Sequence, residues 1–295
     1  MKTYLDCIPC FYRQAIETSR LAGLNEKRIK KIVDKTARVI TSKGLDLIPP
    51  EMAGFINKII KKELKDEDFY KSMKEKSNIL ALSVYDLCKN KVKKSNDSLL
   101  TAVEMAIAGN IIDFGVKNSL NINEEIDKII KKENQIIKNK DNRFFAYKEF
   151  KDHLSKSKEI IYLADNAGET VFDRILIEEI KLFKSDIKIT YAVKEKPIIN
   201  DALMEDAIQC GIDKVADVIS SGSKISGTLL GLCSEDFIKK IKSSDMIISK
   251  GQGNFESFEY PEKPVFYLFM AKCSVVAKEV NCDIGHINLF SNLKK

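Results

Sequence analysis

Apolar positions along this chain fall into two textures. In the first half they recur at helical spacing. "FYRQAIETSRLAGL" closes on Gly23, and "NEKRIKKIVDKTARVITSKGL" has Asn25 as a cap and Gly44 as a stop. "PEMAGFINKIIKKEL" begins with Pro and Glu in its first turn, as helices prefer. "SLLTAVEMAIAGNIIDF" predicts a more apolar helix interrupted at Gly109-Asn110, and "NINEEIDKIIKKENQIIKN" a polar, amphipathic one. After about residue 155 short β-branched runs take over: "EIIYLAD", "DIKITYAV", "VADVISS", "DMIISK" and "PVFYLFM". Each reads as a strand buried on both faces. Between them lie the helical patterns "TVFDRILIEEIKLF", "NDALMEDAIQCGI" and "SEDFIKKIKSS". The alternation predicts an α/β fold with a doubly wound parallel sheet. The expected division is a helical domain over 1–120, a helical connection over 121–154 and an α/β domain over 155–295.

Composition narrows the classes. The chain has 295 residues, 44% hydrophobic and 31% charged, enough for a sizeable core. Its net charge of +6 is spread through mixed runs such as "KKELKDEDFYKSMKEK", which read as solvated helix faces. No basic stripe with aromatic platforms is present, so no nucleic-acid partner is expected. No apolar run reaches the length of a membrane span and no signal peptide is visible, so the expected location is the cytoplasm. Seven scattered cysteines do not make a secreted disulfide framework.

A doubly wound sheet binds ligands outside the carboxyl ends of its strands, so the residues after each run matter most. They are Asp165-Asn166, then "KEKPIINDAL" with Asn200-Asp201 entering a helix, then "SSGSKISGT", then "KGQGNFESF" opening with Lys250, then Lys272-Cys273. Two carboxylates and an amide oxygen are hard ligands suited to Mg²⁺ or Mn²⁺. Backbone N–H groups beside glycines and a lysine suit a phosphate. Each piece also has a plainer reading. Asp165-Asn166 and Asn200-Asp201 make ordinary caps or turns. The glycine loops match neither the P-loop nor the dinucleotide fingerprint. Spacing alone leaves both readings open.

Cys7 and Cys10 form a C-x-x-C with no second pair to complete a zinc knuckle. It opens a helical region, where a thioredoxin-like motif would follow a strand. Neither His153 nor His286 sits in a recognisable triad, and there is no G-x-S-x-G elbow.

Six stretches in order, "DCIPCFYRQA", "IPPEMAGFI", "AIAGNIIDFG", "LADNAGETVFD", "KPIINDAL" and "KGQGNFES", resemble the domain of unknown function 89 family, metal-dependent damage-control phosphatases. The C-x-x-C resembles the short prokaryotic and archaeal branch. The resemblance implies a Rossmann-like three-layer α/β/α domain preceded by an all-helical domain. It also implies a metal held by Asp165, Asn166 and Asp201, with Lys250 on the substrate phosphate. Asn110 and Asp113 would face the same cleft, and Gly168 and Gly251 would let the backbone approach. The expected enzyme is a metal-dependent phosphomonoester hydrolase acting on small phosphorylated metabolites. Its ion is a divalent metal (Mn²⁺, Mg²⁺, Co²⁺ or Ni²⁺), and a water is expected to be the nucleophile rather than Asp165 itself. Substrate, metal and oligomeric state stay open. The rivals are a haloacid-dehalogenase-type phosphatase, disfavoured by Ala167 where a second Asp belongs, a Rossmann-like group transferase, and a metal- or redox-sensing protein using Cys7 and Cys10.

Overall fold

The computed structural model describes residues 1–66, 68–109 and 145–293. The expected strands are all present as β1 (Glu159–Leu163), β2 (Lys188–Val193), β3 (Asp217–Ser220), β4 (Met246–Lys250) and β5 (Val265–Met270). A sixth, β6 (Ile287–Ser291), was not expected; it pairs antiparallel to β5 at the edge. The order is β3-β2-β1-β4-β5-β6, and the first five strands are parallel. The chain winds outward from β1 to β3, then returns to lay β4 on the other side of β1. The β1/β4 junction is therefore the topological switch point, where doubly wound sheets leave a crevice.

Both faces of the sheet are covered, which is why the middle positions of β1, β2, β4 and β5 are mostly apolar on both sides. Ile160, Tyr162, Ile189, Tyr191, Ile248 and Phe266 point to one side. There they pack with the helices Glu169–Phe183, Ser98–Ala108 and Tyr147–Lys156. Ile161, Leu163, Ala192, Ile247, Val265 and Tyr267 point to the other, against the helices Glu235–Ser243 and Ser274–Glu279. Successive residues alternate faces because the strand period is two.

The first three helices, Ile8–Leu21, Glu26–Lys43 and Pro49–Leu64, build a core of their own around Phe11, Ile32, Met52 and Ile56. Asn25 caps the second through Arg28 N–H, and Gly44 ends it at φ 59°. Two further helices, Lys71–Ser83 and Tyr85–Lys94, follow. The stretch expected as a polar helix (121–139) lies outside the described residues, as does most of the expected connection. No helix among the described residues is long and apolar enough to cross a membrane.

Candidate active site at the sheet switch point

β1 ends at Leu163, and the chain turns through Asp165-Asn166-Ala167-Gly168 into the helix Glu169–Phe183. Gly168 is the N-cap at φ 81°, a conformation that favours glycine. Asp165 and Asn166 lie in the turn and are not the cap of this helix. The loop after β2 is stitched to this turn by backbone hydrogen bonds. Ala167 N–H donates to Asn200 C=O (2.9 Å), and Ala202 N–H donates to Asp165 C=O (2.8 Å). Asn166 and Asp201 thus face each other as an isolated antiparallel bridge. Asp201 was expected to lead into a helix. That helix instead starts at Met204, with Leu203 as its cap, because Asp206 rather than Asp201 accepts from the Leu203 N–H.

Four expected residues therefore meet at the switch point: Asp165, Asn166, Asp201 and, at the end of β4, Lys250. Asp165 is 8% exposed, Asp201 2% and Lys250 not at all. Gly251, at φ 82°, lies against Asp165. A Cβ there would stand 2.0 Å from Asp165 Oδ2, so only glycine lets the β4 loop come this close. Ser226, from the loop after β3, donates to Asp201 Oδ1 at 3.2 Å. Asn110 and Asp113 lie outside the described residues. Gly109, just before them, packs on Phe172, with room for no Cβ.

The structure adds three residues that the sequence reading did not single out. Glu169 and Asp173 lie one helical turn apart on the helix after β1 and look, in sequence, like ordinary solvated helix acids. Both are buried. Asn166 Nδ2 donates to Glu169 Oε1 (2.7 Å) and to Asp165 Oδ2 (3.0 Å). Lys250 Nζ donates to Asp173 Oδ1 at 2.6 Å and approaches Glu169 Oε2 at 3.4 Å. Asp173 also accepts from the hydroxyls of Tyr162 and Tyr191, each at 2.7 Å. The third is Lys194, the first residue after β2. It is buried, bonded to Gly227 C=O and 3.9 Å from Asp201 Oδ2.

Electrostatics follow from this crowding. Burial, then Asp201, pushes the Asp165 carboxyl up to about 6. Burial, partly offset by Lys194, pushes Asp201 up to about 6. Burial lifts Glu169 to about 7, with Asp165 adding to it and Lys250 opposing. Burial lowers the Lys194 ammonium. Burial also pulls on Lys250, but Asp173 and Glu169 outweigh it and hold its ammonium charged. Three carboxylates that raise one another mark a place short of positive charge.

The residues fit a hard divalent ion. Among the described residues, Asp201 Oδ2 is buried without a hydrogen-bond partner, although such atoms are normally satisfied. Asp165 and Asn166 stand on the facing loop. No group of three or more His, Cys, Asp or Glu side chains among the described residues is arranged as a metal site; the expected set is of another kind, two carboxylates and an amide oxygen. For that set, the Asn166 amide would turn its oxygen rather than its nitrogen toward the ion, a rotation of one side chain.

Away from the switch point, Cys7 is buried and Cys10 exposed, and all seven cysteines are free. Burial, with Cys273 nearby, pushes both thiols of the C-x-x-C up. Reactive cysteines have lowered values, so this environment favours inert thiols.

The chain matches the family model of the damage-control phosphatase ARMT1-like domain over residues 3–287. It is 33% identical to a damage-control phosphatase of Pyrococcus horikoshii, over 99% of both chains. It is 31% identical to a damage-control phosphatase of Archaeoglobus fulgidus, over 95% of each. An uncharacterised protein of Methanocaldococcus jannaschii is 38% identical over 95% of this chain and 92% of its own. A crystal structure of a P. horikoshii protein of the domain-of-unknown-function 89 family superposes with a TM-score of 0.86, at 32% identity and 99% coverage of both chains.

Proposed function

Since this chain belongs to the damage-control phosphatase ARMT1-like family and is a phosphatase, we propose that it hydrolyses small phosphomonoesters with a divalent ion held by Asp165, Asn166 and Asp201. The observation that carries this reading is the convergence of the β1 and β2 loops on one point. There a buried Asp201 oxygen has no hydrogen bond from the described residues and three carboxylates repel one another. When bound, the ion neutralises that cluster and polarises a phosphoryl oxygen.

The chain's own groups do the rest. Lys250, anchored on Asp173, supplies a fixed positive charge behind the cluster for the phosphate. The helix that starts at Glu169 begins directly after the Asp165-Asn166 turn, and helix starts favour anions. Water is the attacking nucleophile, because Asp165 is committed as a ligand and is wedged against Gly251. Glu169, lifted to about 7, holds or releases a proton near neutral pH. Asn110 and Asp113, which the family resemblance assigns to the same cleft, orient the substrate or its leaving group. The rival uses of this sheet are weaker: the cysteine pair lies outside the acidic cluster, and no dinucleotide fingerprint follows β1.

The test is phosphate release from a panel of phosphorylated metabolites. Chelated protein receives Mg²⁺, Mn²⁺, Co²⁺ or Ni²⁺ in turn, beside Asp165→Ala. Release should depend on added metal and fall at least about 100-fold in the variant, as for loss of a major electrostatic group. Equal release by chelated and metal-loaded protein would remove the metal assignment.

A further inference from the structure

A cavity of about 660 Å³ lies between the helix Pro49–Leu64 and the loops that follow β2 and β3. Its size is that of a small-molecule site, larger than a bare phosphate needs. We infer that it receives the leaving group of the substrate and selects for a second anionic group on it; the inference rests on the phosphatase reading above.

Position is the first argument. The cavity wall is continuous with the acidic cluster. Asp201 N–H donates to the C=O of Ile198, a wall residue, at 3.0 Å. Ser226, which donates to Asp201 Oδ1, directly follows Ile225, another wall residue. Gly54 brings the helix close on the far side, its Cβ position 3.1 Å from Ile225 Cγ2. The wall residues Ile198 and Ile225 thus adjoin the acidic cluster, on the side where the inference puts the leaving group.

Charge is the second. Lys58, Lys61 and Lys62 line the cavity from one helix face, where residues three and four apart are neighbours. Lys196 and Lys224 line it from the opposing loops. Among the described residues, Lys196 and Lys224 form no ion pair. Glu51, the one acid in the wall, is already used: its Oε2 accepts from Ile48 N–H at the helix start, 3.1 Å away. Lys61 ties the walls together through Pro197 C=O at 2.7 Å.

The third observation is Asn57. Asn57 lines the cavity and is 4% exposed, yet among the described residues its Oδ1 has no hydrogen-bond partner. A buried amide oxygen left this way is costly unless a ligand donor satisfies it. Between Asn57 and the lysines, Phe55, Ile198, Ile225 and Leu232 supply apolar wall. The ligand read from these walls has a short carbon body with a hydroxyl, and an anionic group at the end away from the scissile phosphate.

The experiment uses matched esters on metal-loaded, full-length protein. Butane-1,4-diol bisphosphate and 4-phosphooxybutanoate are compared with butyl phosphate, in the wild type and in Lys196→Gln/Lys224→Gln. The expected result is a kcat/KM roughly tenfold higher for the doubly anionic esters, seen in KM. The preference should shrink in the double variant and with added KCl, as screened charges require. Thermal melts verify that the variant folds, and the wild-type ratio is informative without it. Equal kcat/KM for the three esters, or a preference that survives in the double variant, overturns the cavity assignment alone. If none of the three is hydrolysed with any metal, the assignment falls together with the phosphatase reading.

Discussion

Gly251 stands so close to Asp165 that the two positions cannot vary independently. Alanine there would put a methyl 2.0 Å from a carboxylate oxygen, in a left-handed conformation that L residues avoid. Gly251→Ala should lose at least about 100-fold in kcat/KM and about 1–3 kcal/mol of stability. Gly253→Ala is the control, since its Cβ would meet nothing closer than 3.4 Å. Steady-state kinetics and thermal melts separate the two, and similar losses in both would show that the loop rather than the Asp165 contact is responsible. A second residue, Glu256, makes a prediction about pH. It is 8% exposed, and burial pushes its carboxyl up to about 7 from an ordinary 4.5. The folded protein then holds this proton more tightly than the unfolded chain. Its contribution therefore favours folding below about 4.5 and is lost as pH rises through about 7. Glu256→Gln should raise Tm relative to the wild type at pH 8, by at most about 3 kcal/mol of stability, with the gap closing at pH 5. A gap independent of pH would mean that the carboxyl is not strained by burial.

Secondary structure explains why some of this was legible in sequence and some was not. β1 to β5 stood out because strands buried on both faces are rich in apolar, β-branched residues, and Asp165, Asp201 and Lys250 became candidates because they end or follow such strands. β6 escaped because "INLFS" is a short antiparallel edge strand with a buried asparagine in it. Glu169, Asp173 and Lys194 escaped because nothing local distinguishes a buried helix acid, or a lysine just past a strand, from a solvated one. What surrounds them is long-range: Tyr162, Tyr191 and Lys250 around the two acids, Gly227 and Asp201 around Lys194. The helix Lys71–Ser83 was hidden in the lysine-rich run, and its Asn78 is the key between elements. Asn78 Oδ1 accepts from the Gly168 N–H at 2.7 Å. Its Nδ2 donates to Asp206 and to Gln209, each at 2.8 Å. One amide thus holds the start of the helix after β1 and the short helix after Asp201. Asn78→Ala leaves these buried groups unpartnered and should cost about 2–4 kcal/mol. It should also weaken metal binding measured by calorimetry, although Asn78 does not touch Asp165 or Asp201. A stability loss with unchanged metal affinity would separate the two helix starts from the site.

The packing of the molecule assigns its parts different jobs. The helices Ser98–Ala108 and Tyr85–Lys94 share one core with the sheet, through Ala102, Val103 and Met105 against Val171, Phe172 and Leu268. The first three helices have their own core and meet the sheet domain near Val275. They supply one wall of the lysine-lined cavity but none of Asp165, Asn166, Glu169, Asp201 or Lys250. The C-x-x-C belongs to these helices too, so Cys7→Ser should retain most of the turnover; complete loss with an intact fold would return weight to the redox reading. Removing residues 1–66 should leave a chain that unfolds cooperatively, at lower temperature, and still binds the divalent ion. Removing residues 1–108 strips Ile107, Ala102 and their neighbours from the sheet. Burying a single such side chain is worth about 1.5–3 kcal/mol, so the loss exceeds a typical domain's margin. Melts of the two truncated chains decide the matter. If the shorter one also unfolds cooperatively, the helices 71–108 are not part of the sheet's core. If the longer one melts cooperatively but binds no metal, the first three helices hold the loops of the acidic cluster in place, beyond walling the cavity.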